Sequence, residues 1–292
     1  MIILKTGSGY VDIPEFVSSV VDSTSDYRLT TACSVTEERT PTPVQSTPTP
    51  TPERPKSWIQ LGADIDGEAE DDFSGGSVSL SADGKLVAIG AWGVDNERGH
   101  TRIYNFNETE WIQLGADIDG EAEYDYSGVP VSLSADGKIV AIGAIGNDDN
   151  GNNSGHTRIY SFNGTCWNQL GADLDGEADG DYSGGSVSLS ADGKIVAIGA
   201  DRNDGNGDES GHTRIYSFNG TEWIQLGADI DGEANRNWSG FSVSLSADGK
   251  IVAIGAIGND DNGNGSGHTR IYSFNATSWN QLAAHLDGQA HG

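Results

Sequence analysis

Basic residues are scarce in this chain. Sixteen Lys and Arg stand against 44 Asp and Glu among 292 residues, a formal charge of −28. Phosphate contacts need Lys and Arg, so the balance excludes nucleic acid and anionic membrane surfaces as partners. The acidic surface also keeps a protein made of exposed loops soluble. Cysteine is nearly missing: Cys33 and Cys166 lie far apart and imply no disulfide framework. Apolar runs are short. The opening "MIILKTGSGYVDIPEF" holds four apolar residues before Lys5, too few for a signal peptide, and nothing later approaches a membrane span. The expectation is synthesis in a cytoplasm without Sec export, and no membrane insertion. Catalytic arrangements are missing as well: no Glu-Tyr nucleophile pair, Ser-His-Asp array or phosphate-cradling glycine loop can be assembled, which points to a non-enzymatic protein.

What the chain has is repetition. "SVSLSADGKLVAIGA" at 77–91 returns almost unchanged at 186–200 and 242–256, and as "VSLSADGKIVAIGA" at 131–144. Trp58, Trp111, Trp167, Trp223 and Trp279 open the phrase "WIQLGADIDGEA" or its variants, at spacings of 53, 56, 56 and 56 residues. The first unit is shorter because its loop "WGVDNERGH" lacks three residues of "IGNDDNGNNSGH". Periods of this size mark stacked units, none of which buries its apolar face alone.

Each unit reads as four strands. Val78 and Leu80 alternate with serines, a period-2 pattern. Lys85–Ala91 is apolar almost throughout, as a strand covered on both faces would be. Asp83-Gly84 between them suits a tight hairpin. "HTRIYNF" and "WIQLG" follow, joined by the turn "NETE". The prediction is an all-β, β-propeller-like array of four four-stranded repeats. By the Trp landmarks the repeats run 58–110, 111–166, 167–222 and 223–278, with a terminal partial unit 279–292.

"DYSGGSVSLSADGKIVAIGA…SGHTRIYSF" resembles the FG-GAP repeat of integrin-type propellers. "WxQLGxDIDGEA" is more similar still to arrays in marine cyanophage virion proteins and bacterial surface proteins. The resemblance covers 58–292, and it is specific for architecture rather than for molecular function. Two departures stand out. The family often carries an Asp-rich calcium loop between its first two strands, where this chain has only Ala-Asp-Gly-Lys, so those metal sites do not carry over. Family propellers usually have about seven blades, whereas this chain has four sets of strands and a spare Trp strand. Either a four-bladed ring closes, or the repeats stack openly, or chains complete one another, with a homo-oligomer as one outcome. Trp58–Gly62 is expected to close against the C-terminal repeat of the same or a neighbouring chain.

Ahead of the array, residues 1–39 combine a short helix predicted from Pro14 to about Val21, with Phe16, Val17, Val20 and Val21 as anchor residues, and a strand-like stretch at 27–36. "TPTPVQSTPTPTPERP" within 40–57 favours extended polyproline II and reads as a stalk. A small leader, a rigid spacer and a display array fit a virion appendage. Such a protein is made in a host cytoplasm and exposed on the particle. The leader would bind other virion proteins, and the array a host-surface glycan or protein. The other reading is a bacterial cell-surface adhesin or interaction scaffold.

Candidate site residues fall in three sets. Asp64, Asp66 and Glu68 alternate as calcium ligands do, but Gly75 stands where the twelfth-position acid of a calcium loop belongs; the expectation is no cofactor, with calcium as the exception these three would make. The variable loops place Asp148, Asp149, Asn152, Arg202, Asp204, Asp208, Asp260 and Asp261 on a constant scaffold, where binding usually lives. Trp92 and Trp238 break the once-per-repeat tryptophan pattern and are contact candidates, while the regular series reads as packing between units. His100, His156, His212 and His268, each followed by Thr-Arg, are expected to satisfy local backbone or inter-repeat carboxylates; gathered round the axis of a closed ring, they would instead form a metal or anion site.

Overall fold

The computed structural model describes residues 4–6, 9–11 and 58–288, and the chain divides into two compact units, Met1–Lys56 and Ser57–Gly292. In the first unit Leu4–Thr6 pairs antiparallel with Gly9–Val11, a hairpin that the sequence reading did not anticipate. The predicted helix with Phe16, Val17, Val20 and Val21, the stretch 27–36 and the spacer at 40–57 lie outside the described residues.

The second unit is four antiparallel sheets, one per repeat, each built from consecutive strands. In the first repeat these are Ser74–Leu80, Leu86–Ala91, His100–Phe106 and a fourth strand in two pieces, Trp111–Gln113 and Ile118–Asp119. Both pieces pair with the third strand, Trp111 opposite Phe106 and Ile118 opposite Thr101. The four predicted strands are present, and the fourth is broken because "LGA" bulges between its halves, Gly115 sitting at φ 82°. Each sheet therefore ends with the Trp strand that opens the next sequence repeat.

The apolar second strand is covered on both faces, as its composition demands. Residues 87 to 91 are buried, and so are 140–144 and 196–200 in the next two repeats. The core is not inside any one sheet. It consists of three layers, each shared by two neighbours. In the first, Ala88, Ile103 and Ile118 of repeat one meet Val131, Leu133, Val140 and Ile142 of repeat two. In the second, Ala141, Ile159 and Leu174 meet Val187, Leu189, Val196 and Ile198. In the third, Ala197, Ile215 and Ile230 meet Val252 and Ile254. A fully buried Val, Leu or Ile contributes about 1.5–3 kcal/mol, so each layer holds its two sheets together and a lone sheet would lose most of this burial.

The serines of the first strand explain how the sheets register. An edge strand leaves N–H groups unpaired. The Val131 and Leu133 amides donate to the Ser77 and Ser79 hydroxyls at 2.9 Å, Leu189 to Ser132 at 3.0 Å, and Val243 and Leu245 to Ser186 and Ser188 at 3.0 and 2.9 Å. A backbone ladder runs alongside, from the Ala82 amide to the Ala135 carbonyl, Ala135 to Ala191, and Ala191 to Ala247. Glycines let the sheets approach. A Cβ on Gly143 would lie 2.1 Å from the Gly184 carbonyl oxygen, and one on Gly199 2.0 Å from that of Gly240.

These rows stop at the ends of the array. Val78 and Leu80 are 63% and 59% exposed, where their counterparts Val131 and Leu133 are each 7% exposed. Leu282 and Leu286 are exposed at the other end. The stack is open, and the expected closure of Trp58–Gly62 on the C-terminal repeat of the same chain does not occur. Trp58–Leu61 forms no strand, because a Trp strand pairs with the third strand ahead of it and no such strand precedes residue 58 among the described residues. Instead Leu61 offers its carbonyl to the Trp111 indole at 2.8 Å, the place that Leu114, Leu170 and Leu226 take for Trp167, Trp223 and Trp279.

Gly143→Ala, which forces a Cβ into backbone of the next repeat, should cost more than about 2 kcal/mol in urea unfolding, while Ser161→Ala on the partly exposed third strand should stay within about 0.5 kcal/mol. Equal midpoints for the two variants would refute the close-approach account.

Candidate functional site

Third strands begin with His-Thr-Arg, and this triplet organises the junction between repeats. The histidine side chain is turned inward: those of His156 and His268 are 0% exposed. In repeat two its Nδ1 lies 3.8 Å from Glu121 Oε2 and 3.9 Å from Asp173 Oδ2. Repeat three repeats this with His212, Glu177 and Asp229, both contacts at 3.8 Å. In repeat one His100 faces Asp117 at 3.6 Å, with Glu68 in the same group. In repeat four His268 faces Glu233 at 3.7 Å, and His285 stands in the aspartate's place. The histidines thus lie beside carboxylates, at 3.6–3.9 Å, without a hydrogen bond to them. Each belongs to the cluster of its own repeat.

The arginine two residues on completes the junction. Arg158 donates to the Asp119 carbonyl at 2.7 Å and lies 3.4 Å from Glu121 Oε1, with its guanidinium 5.7 Å from the Tyr160 ring centre. Arg102, Arg214 and Arg270 do the same with Asp66, Asp175 and Asp231. Burial, and then the neighbouring guanidinium, push the His156 and His212 imidazoles below their usual range, His212 to about 4; burial does the same to His268. These imidazoles are therefore neutral at pH 7. Burial also raises the Glu121 carboxyl, against the pull of Arg158.

The three calcium candidates do not converge as one set. Asp64 accepts from the Gln60 amide at 2.8 Å, Asp66 lends its backbone carbonyl to Arg102, and only Glu68 enters a histidine cluster. The variable loops lie on exposed turns, yet most of their polar groups have local partners. Asp148, Asp204 and Asp260 each accept a backbone N–H from five residues on, at 2.7, 2.7 and 2.6 Å. Asn152 bonds the Asp179 carboxylate through its amide N–H, and Asp208 pairs with Arg236 at 3.5 Å. Arg202 sits over the Tyr182 ring at 4.8 Å. Asp149 and Asp261 enter the clusters of His156 and His268.

Trp92 is partly buried and stacks on Phe73 at 4.2 Å. Trp238, also partly buried, takes the place held by Phe73, Tyr126 and Tyr182 in the other repeats, all four at φ between 51° and 55°. Its indole N–H reaches Glu209 at 3.2 Å, as the Tyr126 hydroxyl reaches Glu97 at 2.9 Å. Of the regular tryptophans, Trp167, Trp223 and Trp279 pack against the three layers, whereas Trp58 is fully exposed. Two equivalent clefts, of about 200 and 230 Å³, lie beside Trp167 and Trp279. Both are smaller than ordinary ligand pockets.

Sequence reasoning missed the Glu–His–Asp association. The signal was present: Asp117, Asp173, Asp229 and His285 each follow the repeat histidine by 17 residues. Recognising it required knowing that the fourth strand folds back onto the start of the third.

Residues 117–160 match the FG-GAP repeat family. Those residues span the fourth-strand end of repeat one into the third strand of repeat two, and the strands of the other repeats are closely similar in sequence. No curated protein is similar to the chain in sequence. Among solved structures it is similar to TolB from Acinetobacter baumannii, at 19% identity and a TM-score of 0.42 over 71% of this chain and 43% of that one. It is also similar to the hydrazine synthase of Kuenenia stuttgartiensis, at 10% identity and a TM-score of 0.46 over 77% of this chain and 53% of the other. The chain thus spans about half the length of these structures.

Arg158→Ala leaves Glu121 and the Asp119 carbonyl without their donor and should destabilise the array by about 2–3 kcal/mol. Arg158→Lys should recover less than half of that, because an ammonium cannot serve both groups in the fork geometry of a guanidinium. Full recovery by lysine in chemical denaturation would show that charge alone matters there.

Proposed function

We propose that this FG-GAP-type repeat array is a non-enzymatic interaction module, held out on a Pro/Thr stalk as an appendage of a virus particle. The observation that carries the interaction reading is the division of labour among the repeats. The same buried layers and serine contacts recur while the turn between second and third strands changes. Residues 201–210 differ from 145–154 and 257–266, which match each other except at Asn153 and Gly265, and the turn of repeat one is shorter, so a constant frame presents a polar surface that varies between repeats. The particle setting rests on the spacer sequence and on the resemblance to virion arrays. A bacterial surface adhesin would use the same surface. Host-surface glycans or proteins are the partners such turns suit. Among the described residues no helix is long and apolar enough to cross a membrane.

A second copy is a further partner that the open ends fit. Val78 and Leu80 at one end, and Ile251, Leu282 and Leu286 at the other, correspond to the two halves of the layers buried three times within the chain. Leu61 occupies the seat that Leu282 of another copy would take, so one of those segments must give way on docking. Sedimentation should show concentration-dependent association that Val78→Asp with Leu80→Asp abolishes; a strictly monomeric wild type at all concentrations would exclude it.

Deleting residues 1–39 should leave the melting curve of the repeats unchanged and release them from particles. Truncated protein that still copurifies with particles at full occupancy would place the anchor elsewhere. On a glycan and host-cell panel the intact chain should bind without turnover. Product formation at any glycan would overturn the non-enzymatic reading.

A further inference from the structure

The histidine clusters do not look alike when their donors are counted. Repeats one and three bring together three groups each, Glu68, His100 and Asp117, and Glu177, His212 and Asp229. Repeats two and four bring together four, because the loop between their second and third strands adds a carboxylate: Glu121, Asp149, His156 and Asp173, and Glu233, Asp261, His268 and His285. Gly205 occupies the corresponding loop position in repeat three, and the loop of repeat one is shorter. In each group the donor atoms all lie within 4.8 Å of one another.

A second observation singles out the same two repeats. His156 and His268 are fully buried, and their Nδ1 atoms, which face the carboxylates, have no hydrogen-bond partner. A buried polar nitrogen without a partner is costly and calls for an explanation. The separations of 3.7–3.9 Å from Nδ1 to the carboxylate oxygens are too long for hydrogen bonds. They are close to the spacing of two ligands on one ion. With metal–ligand distances near 2.1 Å and a tetrahedral angle, neighbouring donors lie about 3.4 Å apart.

From this geometry we propose that repeats two and four each bind a divalent transition-metal cation of the zinc class, held by Glu121, Asp149, His156 and Asp173 in one and by Glu233, Asp261, His268 and His285 in the other. The mixed nitrogen and oxygen donors set the class, since imidazole suits zinc and its neighbours whereas calcium takes six to eight oxygens. Charge fits as well. In repeat two Glu121, Asp149 and Asp173, with Asp175 close to the last two, outnumber Arg158, and in repeat four Glu233 and Asp261, with Asp287 3.5 Å from His285, outnumber Arg270, so a dication offsets an excess of negative charge at both. The ion would tie together the turn entering the repeat, the variable loop, the third strand and the split fourth strand. Its effect would be to fix the loops that the interaction reading places at the partner surface. The proposal departs from the sequence expectation of no cofactor, and it stands whether or not that reading holds, because its test reads metal rather than partner binding.

The test is calorimetric titration of the full chain with zinc chloride after chelator treatment, alongside melting curves and cobalt(II) absorption. The expected result is two tight sites per chain, a melting temperature raised by zinc, and the visible bands of tetrahedral cobalt. Asp149→Asn and Asp261→Asn change exposed loop residues and should leave the apo melting temperature unchanged. Each should weaken one site at least tenfold, and His156→Gln with His268→Gln should remove both. Failure of the wild type to bind zinc, binding of calcium in preference to zinc, or a stoichiometry unchanged in the aspartate variants would each overturn the proposal.

Discussion

No sheet of the described repeats has an inside, and the contact between neighbouring sheets is the constraint on which the rest depends. A five-stranded antiparallel sheet with apolar residues on both faces of its second strand must be covered twice. The chain covers it by laying Val131, Leu133, Val140 and Ile142 against Ala88, Ile103 and Ile118, and then repeating the arrangement. Hydrophobic burial supplies the attraction but not the alignment, because it is non-directional. Alignment comes from the serine hydroxyls that accept edge-strand amides and from the Ala82–Ala135–Ala191–Ala247 ladder. The same serines make the otherwise sticky edge of each sheet selective for another sheet of this kind.

That constraint also places the polar junctions. Sheets stacked this closely bring the acidic turn entering one repeat beside the histidine and arginine of its third strand. The Arg102, Arg158, Arg214 and Arg270 side chains are buried and bridge a carboxylate to a backbone carbonyl of the preceding segment. Buried charge of this sort is retained when every partner is in place, and losing one partner is costly. The histidines sit within the same frame, and in two repeats their inward nitrogens are left without a donor or acceptor. The variable loops bolt onto the following repeat as well, through Asn150 to the Gly176 carbonyl and Asn206 to that of Gly232. Their backbone is thus held while their outward carboxylates and Arg202 remain exposed.

The sequence by itself determined the local elements and their number. Strand periodicity, the Asp-Gly hairpins and the apolar second strand depend on neighbours within a few residues, so they can be read directly, as can the tryptophan series and the all-β class. Serine alternation with Val78 and Leu80 showed which residues face which way, though not that the hydroxyls meet an amide 54 residues away. Whatever depends on distant pairing was decided by the tertiary structure alone. The break in the fourth strand follows from where its halves land on the third, and the seat of Leu61 follows from there being no third strand ahead of it among the described residues. Closure was undecidable from the repeats, since identical units are compatible with ring and open stack; it is the exposed Val78 and Leu80 that distinguish them. Glu121, Asp149, His156 and Asp173 span 53 positions, and only the fold-back of one strand and the stacking of two sheets bring them within reach of one ion.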